Sequence, residues 1–159
     1  MTSARDARGG AKVRFPPPLV FLASLLGGLA LQYGPWPLVL PASGLRWVAG
    51  LGASLGGVLL LWNAQLWFSR TGQHPAPWKP SPELLVAGVY RFTRNPMYLG
   101  FTLFQLGLGV ALGNGWLALS APLALGIVHF LAVRPEEAYL TEKFGEAYLR
   151  YLTRVRRYL

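Results

Sequence analysis

Cysteine is absent from the 159 residues, which excludes disulfides and thiolate metal sites and leaves the redox compartment without a marker. Charge is scarce too. Only 13% of residues are charged and 53% are hydrophobic, about half the charged share of an ordinary soluble domain. Acidic residues are few, six against fifteen Lys and Arg. No strand followed by a glycine-rich loop occurs, so the dinucleotide-binding fold of soluble nucleotide enzymes is not expected.

The sequence instead contains long stretches without charge, from Phe15 to Leu45, Trp47 to Ser69 and Asn95 to Val133. A bilayer-spanning helix needs about 20 apolar residues, so each stretch suffices. The last is 39 residues long and is interrupted by Gly113-Asn114-Gly115, residues that favour a tight turn. Dividing it there gives an all-α, polytopic membrane fold in one domain over residues 1–159. Four helices are expected at roughly 17–33, 46–69, 97–112 and 116–133, the last two as a hairpin. Pro16 to Pro18 suit a helix start. The basic leader Arg5 to Arg14 is followed by no small-residue cleavage pattern, so the first helix is expected to stay uncleaved.

The net charge of +9 is distributed unevenly: four Lys or Arg precede the first helix, four lie between Arg70 and Arg94, six lie from Arg134 onward, and Arg46 stands apart. With four spans the three groups share one side, and the positive-inside rule makes that side cytoplasmic, with both termini. A basic face beside anionic lipid accounts for the charge without nucleic acid. Trp36 and Trp47 read as interface anchors. Gly52 with Gly56, and Ala53 with Gly57, read as small-residue packing faces. The Arg70 to Gly88 segment is rich in proline and resists regular structure. His74 within it reads as solvated, and His129 as a neutral imidazole bonded to a neighbouring helix or as a functional group at membrane depth.

After the fourth helix, Leu140, Phe144, Tyr148, Leu152, Val155 and Leu159 form an apolar stripe and Arg150, Arg154 and Arg157 a basic one. This C-terminal amphipathic helix, broken or turned at Gly145, either lies on the inner leaflet or packs on the cytoplasmic loop. Two polar islands remain, Tyr90 to Tyr98 and Arg134 to Glu137, which the hairpin returns to one end of the bundle. On a helix, the adjacent Glu136 and Glu137 diverge by about 100°, so one can face a ligand while the other pairs with an arginine. A rim of salt bridges is the plainer reading of the same residues.

"GVYRFTRNPMYLG" followed by "RPEEAYLTEKFGEAYLRYLTRVRR" resembles the isoprenylcysteine carboxyl methyltransferase and phospholipid methyltransferase group of integral membrane enzymes. The resemblance runs from about Thr71 onward. It implies S-adenosylmethionine as methyl donor, a lipophilic acceptor within membrane lipid, and no metal. On that basis Tyr90, Arg94, Asn95, Pro96, Tyr98, Leu99, Gly100, Glu136 and Glu137 are expected to bind the donor, with Arg134 and Glu137 closest to the chemistry. Arg94 suits the donor's carboxylate, the glutamates its ammonium or ribose, and Tyr90 and Tyr98 its adenine or sulfonium. Pro96 would fix the helix entry and Gly100 would admit close approach. An NADPH-dependent membrane reductase of the sterol reductase type and a non-enzymatic scaffold are the alternatives. Acceptor identity and oligomeric state stay open.

Overall fold

The computed structural model describes residues 10–13 and 15–158. Most of the basic leader, and Leu159 at the end of the apolar stripe, lie outside the described residues. The described chain is helical, with two isolated bridges, Val39–Asn114 and Thr93–Arg156, in place of strands. Helix α1 spans Pro17–Gln32, α2 Gly44–Arg70, α3 Pro96–Leu112, α4 Gly115–Val128, α5 Arg134–Phe144 and α6 Glu146–Arg154.

The helix ends follow from the residues placed there. Proline occupies the first turn of α1 and α3, where its missing donor has no intrahelical partner to lose. Ser43 caps α2 by accepting from Arg46 N–H at 3.1 Å. Helix α3 stops at Gly113, left-handed at φ +70°, a conformation that costs glycine little. Asn114 then caps α4 through Leu117 N–H at 2.8 Å, which completes the expected hairpin.

The fourth helix departs from the sequence reading. It does not stop near Val133; α4, a π turn at His129–Val133 and α5 form one helical rod, Gly115–Phe144. Pro135 supplies the reason. It cannot donate to the carbonyl four residues back, and Arg134 N–H bonds to His129 O, five back, so the ladder widens by one residue where it would otherwise break.

Helix α3 is the centre of the bundle, packed on α2 and α4, while α1 leans on α4. Small residues permit the α2–α3 approach: a methyl group on Gly57 would collide with Phe104 and Gly100 backbone, and one on Gly107 with Gly50 and Ser54. Gly52 and Gly56 face open space, so only the Gly57 half of the expected glycine pairing is an interface. Gln105, buried at 2% exposure, donates to Ser24 at 2.9 Å and Ser120 at 2.8 Å, joining three helices by a satisfied polar knot.

Two helices are long and apolar enough to cross a membrane, Gly44–Arg70 and Gly115–Phe144, while Pro17–Gln32 and Pro96–Leu112 are shorter apolar helices. The outer face of α2 exposes Leu51, Leu55, Leu59 and Trp62, a continuous apolar surface suited to lipid rather than water. Trp36 and Trp47 are exposed beside the α1–α2 connection.

Candidate active site

The bases of α3 and α5 meet the Thr71–Gly88 connection, a 3-10 turn at Gly88–Arg91 and α6. An open cavity of about 820 Å³, counted to include its solvent-filled mouth, lies among them. Phe68, Tyr90, Tyr148 and Tyr151 contribute aromatic walls, and Gln73, Arg94, Asn95 and Glu136 contribute polar ones.

Arg94 enters from just before α3, and its Nη2 lies 3.3 Å from Glu137 Oε1. The two polar islands therefore meet. The adjacent glutamates divide as helix geometry requires: Glu136 lines the cavity and accepts from the Tyr98 hydroxyl, whereas Glu137 points toward the arginines. Arg157 donates to Glu137 through Nε at 2.9 Å and Nη2 at 2.7 Å.

Three more of the expected residues are close to this centre. Tyr90 is buried against Phe68, ring centroids 5.8 Å apart, edge to face, and its carbonyl accepts from the Tyr151 hydroxyl at 2.6 Å. Pro96 lines the cavity at the foot of α3. Asn95 precedes α3 without capping it through its side chain, and its amide Nδ2 donates to Arg157 O at 3.1 Å.

Leu99, Gly100, Glu137 and Arg134 do not line the cavity. Leu99 is buried in the bundle, and Gly100 faces Leu61 and the Gly57 carbonyl. Arg134 stands two residues before Glu136, about 200° around a helix, and its guanidinium lies 5.8 Å from the exposed Phe130 ring. His74 is exposed, and its Nδ1 accepts from Ala76 N–H at 3.1 Å. His129 Nδ1 lies 3.0 Å from the Tyr158 hydroxyl, a partner on the segment after α6.

Burial dominates the electrostatics. It raises the Tyr90 and Tyr148 phenols and takes Tyr151 up to about 12 against the lowering effect of Arg94. These three phenols stay protonated at neutral pH, and that of Tyr151 donates to the Tyr90 carbonyl.

Among the described residues four buried side-chain atoms lack partners, Arg46 Nε, Asn63 Oδ1, Gln73 Nε2 and Arg94 Nε. The last two, both donors, belong to side chains that line the cavity. Leaving a buried donor unpaired costs about 1–3 kcal/mol, so two at one cavity indicate a ligand carrying acceptors. Gln73, only 7% exposed, is a residue that sequence reasoning missed; an isolated amide in a Pro-rich loop looks like any solvated polar group.

Fold and site together define a helical protein with bilayer-length apolar helices and a polar, aromatic-walled cavity at one end. Residues 45–147 match the phospholipid methyltransferase family, and the chain belongs to that family. It is 36% identical over 72 residues to the protein-S-isoprenylcysteine O-methyltransferase of Schizosaccharomyces pombe, covering 45% of this chain and 30% of that protein. It is 37% identical over 75 residues to protein-S-isoprenylcysteine O-methyltransferase B of Arabidopsis thaliana (46% and 37% covered). The Saccharomyces cerevisiae protein-S-isoprenylcysteine O-methyltransferase is 36% identical over 85 residues (48% and 33%). The matches thus span about a third of these relatives' length.

Proposed function

We propose that this chain is a membrane methyltransferase that moves a methyl group from S-adenosylmethionine to a lipophilic acceptor. The observation that carries the reading is the convergence of Arg94, Glu136 and Gln73 on one cavity beneath an apolar bundle, with two unpaired buried donors in its wall. The family assignment and the relatives' O-methyltransferase names support it.

The donor fits the residues present. When bound it supplies a methyl group on a sulfonium, open to in-line displacement without a metal. Arg94 holds the methionyl carboxylate, Glu136 accepts from the ammonium or the ribose, and Gln73 meets an acceptor on the nucleoside. Tyr90 and Tyr148 offer π faces to the adenine or the sulfonium, and Glu137 acts by holding Arg94. Asn95 and Pro96 fix the start of α3, while Leu99 and Gly100 keep that helix packed so that Tyr98 faces Glu136. Arg134, on the outer face, is assigned no donor contact. The main catalytic contribution of the chain is alignment, for which effective molarities of about 10⁵–10⁸ M set the scale.

The bundle provides the lipid side. We read α1, α2, α3 and the rod that begins with α4 as four membrane spans, with the cavity and both termini facing the cytoplasm. An apolar groove of about 640 Å³, walled by Phe21, Leu25, Val58, Leu61 and Phe104, lies deeper between α1, α2 and α3. Its Phe101 is one helical turn beyond Met97 of the polar cavity, a sequence of surfaces that suits an acceptor with a hydrocarbon tail.

Calorimetric titration of detergent-solubilised protein with S-adenosylmethionine, S-adenosylhomocysteine and NADPH tests the reading. Saturable binding of both S-adenosyl compounds is expected, weakened at least tenfold in Arg94→Ala with the helical content unchanged. Binding of NADPH alone would favour a reductase, and binding of none a scaffold.

A further inference from the structure

Helix α6 ends at Arg154, and the chain turns extended at Val155, φ −123° and ψ 129°. A continued helix would have left Arg157 on the solvent-facing stripe with Arg150 and Arg154. Instead, residues 155–158 run beside Thr93, Arg94 and Asn95. Arg94 N–H donates to Arg156 O at 3.0 Å, and Thr93 Oγ1 and Asn95 Nδ2 both donate to Arg157 O at 3.1 Å. These contacts use main-chain carbonyls of the strap, so they do not depend on the Arg157 side chain.

That side chain does something separate. Its fork on Glu137, at 2.9 and 2.7 Å, is the stronger arrangement, whereas Arg94 reaches the same carboxylate through one contact at 3.3 Å. Arg94 is left oriented but loosely held, with Nε buried and unpartnered at the cavity. Without Arg157, the nearest cation to the Glu137 carboxylate would be Arg94, and a fork between those two would consume the donors that face the cavity.

We propose that Arg157 is a positioning residue: by holding Glu137 in a fork it limits Arg94 to a single contact with that carboxylate and leaves the rest of the Arg94 guanidinium available to the carboxylate of the ligand. It acts through Glu137, since Arg157 does not itself line the cavity. The proposal rests on the S-adenosyl reading of that cavity. The sequence placed Arg157 on a basic surface stripe; the extended backbone from Val155 moves it to the site.

A double-mutant cycle on the full-length solubilised protein tests this, using two ligands. S-adenosylhomocysteine carries the carboxylate, and methylthioadenosine keeps the nucleoside but lacks it. Arg157→Ala is expected to weaken S-adenosylhomocysteine about tenfold and leave methylthioadenosine within twofold. Arg157→Lys should recover only part of the loss, because an ammonium cannot fork. In the Glu137→Gln background, Arg157→Ala should add less than twofold. Equal weakening of both ligands, or the same tenfold loss in both backgrounds, would show a merely structural residue and overturn the proposal. Failure of the wild type to bind S-adenosylhomocysteine would overturn the S-adenosyl reading itself, and this proposal with it.

Discussion

Glu136 and Glu137 are identical in chemistry and adjacent in the chain, yet one lines the cavity and the other holds arginines. That the two diverge was legible from helical geometry; which of them faces the cavity was not, and Glu137, expected closest to the chemistry, lies outside the lining. Glu136→Gln is expected to weaken S-adenosylhomocysteine about tenfold with the helical content unchanged. Wild-type affinity in that variant would remove Glu136 from the contact. Gln73 and Arg157 escaped sequence reasoning for different reasons: an amide in a loop carries no periodic signal, whereas the helical spacing of Arg157 with Arg150 and Arg154 pointed to a surface stripe that the extended backbone from Val155 breaks.

Helix existence was readable because apolar runs and turn residues agree: Pro16 to Pro18 and Gly113–Asn114 mark real ends, whereas the Ser43 cap that starts α2 at Gly44 was not read. The continuation past Val133 was not readable. Proline and a cluster of charge look like a stop, and the π turn that absorbs Pro135 is a backbone rearrangement with no composition signature. The amphipathic segment after Gly145 left two destinations open, and the structure selects one. Tyr148, Tyr151 and Val155 pack with Leu84 and Leu140, so the apolar face covers the connection over the cavity. Packing at α2 gives a paired test. Gly57→Ala should lower the melting temperature, since the methyl meets α3 backbone and overpacking costs about 1–3 kcal/mol. Gly56→Ala, with open space around it, should leave the melting temperature unchanged or raise it, as alanine is about 1 kcal/mol the better helix former. Equal effects would place the α2–α3 contact elsewhere.

For the whole molecule, an apolar bundle carries its charge mostly at one end, and the proposed four spans turn that asymmetry into a topology. The native absence of cysteine makes this simple to probe. In sealed right-side-out membranes, Ala42→Cys should react with an impermeant maleimide, and Glu83→Cys should react only after the membrane is opened. The reverse pattern would invert the bundle, and labelling of both from outside would remove a span. The family could be recognised from two short motifs because they hold the residues that converge on the cavity; the aromatic walls and the strap that complete it come from segments with no motif. The central claim is that this cavity holds an S-adenosyl donor, and ultraviolet cross-linking of radiolabelled S-adenosylmethionine followed by peptide mapping tests it most directly. Saturable label on the peptide carrying Tyr90 to Tyr98, displaced by S-adenosylhomocysteine, is the expected result. Saturable label confined to residues 15–45, or none on protein that retains its helical content, would contradict the account.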